Sequence, residues 1–241
     1  MQSTQKLFRI LGIILFCAGV LAGMVMFILM NWAYFEASFY FGYSAPADKT
    51  LTNLRCPLVM TTSDTGEVTM SVTNTTKTGL SIRVQTELSY YGAVTLDKTS
   101  YPVPAGETRK LSWPVSSDNL VFGHLVMARV YQFSAYTLPS RTNTCGTVMV
   151  ALPGVTGMQV FISMLVFSLF GLAAGWGLWL ASLRPLQGGE IIATRAMIFM
   201  TIIVVLGILG GIIGWWGLGL ICAAGGVLLI ISVTGYYLQK T

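Results

Sequence analysis

Residues 67–88 read EVTMSVTNTTKTGLSIRVQTEL, and apolar and polar side chains alternate on both sides of its centre. In Glu67–Asn74, Val68, Met70 and Val72 share one face. In Leu80–Leu88, Ile82 and Val84 point one way and Arg83, Gln85 and Glu87 the other. A period of two belongs to a half-buried strand. Thr75–Gly79 (TTKTG) between them is rich in turn formers. The pattern therefore predicts two strands joined as a hairpin.

The same pattern extends outward. Pro102–Glu107 (PVPAGE) is a second turn cluster, and in Thr108–Val115 (TRKLSWPV) Leu111, Trp113 and Val115 share a face. Pro114 marks that strand as an edge or an early end. Gly123–Phe133 (GHLVMARVYQF) reads as a long central strand and Thr144–Leu152 as the last. Six or seven short strands in about 100 residues predict an antiparallel β-sandwich of immunoglobulin-like type. The fragments SVTNTTKTGLSIRV and VPAGETRKLSWPV resemble bacterial immunoglobulin-like modules, with a "tN" turn after one strand and an "aGe" turn before another. The resemblance covers roughly residues 56–152 and implies a fold; it carries no functional residues over.

Around this segment the chain is hydrophobic. Of 241 residues, 54% are hydrophobic and only 10% are charged, where a soluble domain carries about 25% charged residues. Ile10–Tyr34 is an apolar run of 25 residues, enough to span a hydrocarbon core of about 30 Å. It reads as an uncleaved anchor, being longer than a signal peptide's apolar region. Gly157–Ser182 is a second run. Met197–Leu238 holds 42 residues without a charge; as one helix it would measure roughly 60 Å, so it must fold back. Gly214-Trp215-Trp216-Gly217 is the natural turn, giving helices near 196–214 and 218–238.

Charge placement orients these spans. Lys6 and Arg9 precede the first, and Arg184 and Arg195 accompany Glu190 in the loop 183–196. By the positive-inside rule both termini and this loop are cytoplasmic, in a plasma membrane, and residues 36–156 lie outside. That segment carries nine Lys/Arg against eight Asp/Glu, so no basic stripe invites nucleic acid. The expected architecture is an integral membrane protein with four transmembrane α-helices and an extracytoplasmic β-sandwich between helices 1 and 2. Residues 1–35 form the tail and first helix, 36–55 an aromatic juxtamembrane segment and linker, 56–154 the sandwich, and 155–241 helices 2–4.

The candidate sites follow from this plan. Cys56 and Cys145, 89 residues apart, are the two cysteines of the polar segment; an oxidising compartment would join them as a clasp across the ends of the domain. Cys17 and Cys222 lie in apolar runs and read as buried hydrophobes. Trp32, Tyr34, Phe35, Phe39, Tyr40, Phe41 and Tyr43 crowd residues 32–43, as an interfacial belt or as a docking surface. Gly19/Gly23, Gly171/Gly175 and Gly207/Gly211 are GxxxG pairs suited to helix packing. Asn74-Thr75-Thr76 is a glycosylation sequon. His124, the one histidine, has no cysteine beside it, and no pattern of catalytic, cofactor-binding or metal-ligating residues emerges. The expected partners are membrane lipids and other membrane-protein subunits or further copies of the chain. The expected function is that of a non-enzymatic accessory or scaffold subunit. The alternative is an oligomeric channel or transport component lined by Asn31, Ser163, Ser168, Thr201, Ser232 and Thr234.

Overall fold

The computed structural model describes residues 2–42, 47–90, 93–135, 138–182 and 189–238. The chain begins with α1 (Gln2–Tyr40) and the short strands β1 (Lys49–Thr50), β2 (Leu54–Arg55) and β3 (Val59–Thr61). Then come β4 (Gly66–Thr73), β5 (Leu80–Tyr90), β6 (Ala93–Val103), β7 (Thr108–Val115), β8 (Leu120–Val121), β9 (Leu125–Gln132) and β10 (Arg141–Val150). It closes with α2 (Gly157–Ser182), α3 (Gly189–Ile213) and α4 (Trp216–Leu238). Two compact units result, Met1–Asn31 with Phe161–Thr241, and Trp32–Val160.

Four helices among the described residues are long and apolar enough to cross a membrane. α2 has the bounds its apolar run predicts. α3 starts before residue 196, with Glu190 in its first turn, where the helix dipole favours an acid. Arg184 and Lys240 lie outside the described residues. The fold-back between α3 and α4 is a Schellman turn. Gly214 sits at φ +80°, Gly214 N–H donates to Gly211 O at 3.3 Å and Trp215 N–H to Gly210 O at 2.9 Å. Those bonds satisfy carbonyls that a helix end otherwise leaves without a partner.

The β-unit holds two sheets. A seven-stranded sheet has the order β1-β10-β9-β5-β6, with β3 also on β10 and β8 on β9; a three-stranded sheet has the order β2-β4-β7. β1 and β3 run parallel to β10, so the large sheet is mixed, not purely antiparallel. The predicted faces of β4 and β7 meet: Val68 pairs with Trp113 and Met70 with Leu111, and all four are buried.

The hairpin expected across Thr75–Gly79 does not form. β4 pairs with β2 and β7, while β5 pairs with β6 and β9, so the segment crosses between sheets. Asn74 makes that corner. Its Nδ2 donates to the carbonyls of Thr78, Val103 and Pro104 at 2.8–3.1 Å, and its Oδ1 accepts from Thr76 N–H and Oγ1–H. Such an Asx turn offers the backbone an alternative to a two-residue hairpin loop. Asn74 is fully buried, so a glycan has no room on this sequon in the folded chain.

Candidate functional site

The aromatic segment is helical as far as Tyr40. α1 continues past Tyr34 to Tyr40, since nothing from Trp32 to Tyr40 breaks a helix. Gly42, at φ +62°, ends it, with its N–H donating to Phe39 O at 3.0 Å. The face carrying Ala33, Ala37 and Phe41 packs into a core with Val121, Leu125, Met127 and Val148. Close approach depends on Gly146 of β10, where an added Cβ would strike the Ala33 carbonyl oxygen. Ser38 Oγ lies 3.2 Å from Thr144 Oγ1.

A buried ion pair fixes the end of this helix. Arg129 Nη2 lies 2.6 Å from Glu87 Oε1, and Arg129 Nη1 donates to Phe41 O at 3.0 Å. The guanidinium also sits over the Phe41 ring, 5.6 Å from its centre. A cation at a helix C-terminus satisfies a stranded carbonyl and complements the dipole. Glu87, expected to face solvent, is therefore buried: β5 and β9 are covered on the face that alternation alone assigns to water.

The aromatics from Trp32 to Phe41 separate into two sets. Tyr34 and Phe41 are buried. Trp32 and Phe39 are 43% and 63% exposed, and Phe35 joins them at ring separations of 5.5 and 4.6 Å. The spacing of three and four residues stacks these rings along one helix face. Tyr40 meets Phe122 edge-on at 6.1 Å. Phe122 is 64% exposed and sits at φ +52°, a conformation unfavourable for a bulky side chain. Tyr43 lies outside the described residues.

The disulfide joins Cys56 to Cys145 with Cα atoms 6.0 Å apart. Cys56 follows β2 of the small sheet, and Cys145 faces Ala128 in the middle of β10. The bond thus bridges the two sheets, where a clasp across the domain ends was expected. Closing a loop of this length stabilises a fold by about 4–5 kcal/mol in the chain-entropy view. His124 is exposed in the turn before β9.

Two carboxylates hold the margins of the β-unit. Asp48 accepts from Ser140 Oγ–H and N–H, which lowers its pKa below the ordinary value. Asp64 accepts from the N–H of Gly157, the first residue of α2, and from Thr61 N–H, and its pKa is lowered for the same reason. Thr156 and Gln159 complete a capping box there: Thr156 N–H donates to Gln159 Oε1 at 2.9 Å and Gln159 N–H to Thr156 Oγ1 at 3.3 Å.

In the helical unit, glycines let α1 lie directly on α2. A Cβ at Gly19 would come within 2.7 Å of Leu172 N, and one at Gly175 within 2.6 Å of Phe16 N. Gly171 faces Gly19, Gly23 faces Ser168 and Val204, Gly207 faces the Phe27 ring, and Gly211 faces Met30. Gly12, against Trp179 N at 3.0 Å, belongs to the same seam and lies outside any GxxxG pair. Asn31 is buried, with Nδ2 donating to Phe27 O at 2.7 Å and Gly207 O at 3.2 Å. Its side chain occupies the space a Cβ would need at Gly219 of α4. Cys222 is buried, but Cys17 is exposed.

Phe122 and the Glu87–Arg129 pair escape sequence reasoning; the TGMQ capping box at Thr156–Gln159 is a legible signal that goes unused. No protein-family model matches the chain, and no characterised protein matches it in sequence.

Proposed function

We propose that this chain is a non-enzymatic accessory or scaffold subunit of a larger membrane complex, docking another membrane-protein subunit through the Trp32–Phe35–Phe39 face. The exposed aromatic stack carries this reading. Aromatic side chains are favoured interface anchors, and the same helix turns are held rigid from behind by Ala33, Ala37 and Phe41. A preorganised surface loses little entropy on binding. Phe122, held in a strained conformation beside Tyr40, extends the apolar surface.

The rest of the proposal concerns the setting. The strand order β10-β9-β5-β6 against β2-β4-β7 supports an immunoglobulin-like sandwich, a fold used widely for protein contacts. The disulfide supports an extracytoplasmic position for it, and Lys6, Arg9 and Arg195 support cytoplasmic termini in a bacterial plasma membrane. The channel alternative draws less support. Ser168 donates to Gly19 O, Asn31 to Gly207 O, and Thr201 Oγ1 accepts from Trp176 Nε1–H, so these three polar groups serve contacts between helices. Native mass spectrometry of the full chain, gently extracted from its own membrane, tests the reading. It predicts a heteromeric assembly that Trp32→Ala/Phe39→Ala dissociates; a lone monomer, or a complex made only of this chain, would overturn it.

A further inference from the structure

The helical unit carries an open cleft of about 430 Å³, within the size range of ligand sites. Its walls come from α1, α3 and α4, with Ile13, Phe16, Met197, Met200, Ile230 and Val233 among the apolar side chains that line it. At one end stands Arg9. Its guanidinium lies over the Trp179 ring, 5.1 Å from the centre, and Nη1 donates to Glu190 Oε1 at 3.2 Å. Trp179 in turn donates to Thr194 Oγ1 at 3.1 Å. The Arg9 side chain remains 43% exposed, and one bond to Glu190 leaves most of its five donors open to a further acceptor.

The polarity of this cavity is ordered along the helices. From Arg9 to Cys17 it runs about 12 Å along α1, starting at the helix ends near Ser182 and Gly189 and continuing into the apolar middle. A charged head at the level of the helix ends and an apolar cleft below it match a molecule with an anionic head and an apolar chain. Lys6 and Arg195 lie near the same helix ends in sequence and outnumber, with Arg9, the single acid Glu190.

We propose that the cavity is a specific site for an anionic phospholipid, one acyl chain lying between α1, α3 and α4 and the phosphate bound by Arg9. Glu190 and Trp179 position the guanidinium. Trp179 fixes its plane by cation–π contact, and Glu190 holds it toward α3. The charge selects an anionic headgroup, since a basic side chain near the headgroup level favours such lipids by a free energy that corresponds to about fivefold in affinity. The site is independent of the aromatic face proposed to dock a subunit, so either can fail without the other.

The cavity carries its own reporter. Cys17 lines it and is exposed, Cys222 is buried, and the other two cysteines form the disulfide. The test uses the full chain in detergent, delipidated and titrated with phosphatidylglycerol or phosphatidylcholine. Native mass spectrometry reads retained lipid, and maleimide modification of Cys17 reads occupancy. One phosphatidylglycerol should be retained per chain about fivefold more strongly than phosphatidylcholine, and it should slow modification of Cys17. Arg9→Gln should abolish the preference, and Ala196→Leu, which fills the cavity from α3, should abolish retention of both lipids. Equal retention of the two lipids by the unmodified chain, or Cys17 modification unaffected by phosphatidylglycerol, would overturn the proposal, as would retention unchanged by Ala196→Leu. The lipid comparison and the Cys17 readout need no variant, so a substitution that fails to fold leaves the test intact.

Discussion

Replacing Arg129 by leucine should be among the most damaging single changes in the β-unit. The Glu87 and Arg129 side chains are 9% and 13% exposed and approach to 2.6 Å. Arg129→Leu leaves the Glu87 carboxylate in place with Gln85 Nε2 still donating to it, but without its cation. Breaking a buried pair from one side costs about 3–5 kcal/mol. Loss of the bond to Phe41 O adds about 1 kcal/mol. Against a total stability of about 5–15 kcal/mol for a domain, that is a large share. The double change Glu87→Leu/Arg129→Leu should recover most of the loss, since two apolar groups replace a buried pair at little net cost. Urea denaturation of the full chain in detergent, followed by tryptophan emission, measures both. The reasoning fails if Arg129→Leu stays within about 0.5 kcal/mol of the unmodified chain, the scale of an ordinary surface change. It also fails if the double variant is no better than the single one.

Three further outcomes follow from the same structure. Gly146→Ala should loosen the last turns of α1, because the new methyl meets the Ala33 carbonyl oxygen; amide exchange over residues 33–41 should quicken, at a cost of about 1–3 kcal/mol. Cys56→Ser should lower stability by about 4–5 kcal/mol, read as a matching shift in denaturation under non-reducing conditions. Asp64→Asn should be pH-dependent. The folded pKa of Asp64 is depressed by the Gly157 and Thr61 N–H groups, so its contribution is present above the ordinary aspartate value of about 3.9 and lost as pH falls through the depressed one. The variant should be the less stable form at neutral pH, and the two should converge in acid.

What was legible in the sequence was whatever depends on local period and length. Val68, Met70 and Val72, and likewise Leu111, Trp113 and Val115, lie on the buried faces their alternation predicts, because each strand turns one face to a core and one to water. α2 keeps the bounds of its apolar run, and the turn at Gly214 falls where a span too long for one crossing must reverse. Pairing was less legible. Strand partners depend on contacts distant in sequence, and the TTKTG segment carries the same turn residues whether it closes a hairpin or, as here, crosses between sheets around Asn74.

The surface candidate was half visible. The density of aromatics between Trp32 and Tyr43 was plain, but their division into a buried and an exposed set depends on helical phase against a sheet. The fit of Ala33 to Gly146 fixes that phase, and no local pattern reports it. Arg129 and Glu87 belong to strands that read as ordinary alternation. Only the helix end over β9 turns them into a buried pair.

The proposed docking face is tested most directly by photo-crosslinking in the native membrane. A benzophenone amino acid at position 32, 35 or 39, all in the aromatic stack, should yield one discrete adduct with a different membrane-protein subunit. The same probe at Lys110 on β7 should yield none. Adducts only with a second copy of this chain, or only with lipid, at all three positions would contradict the account.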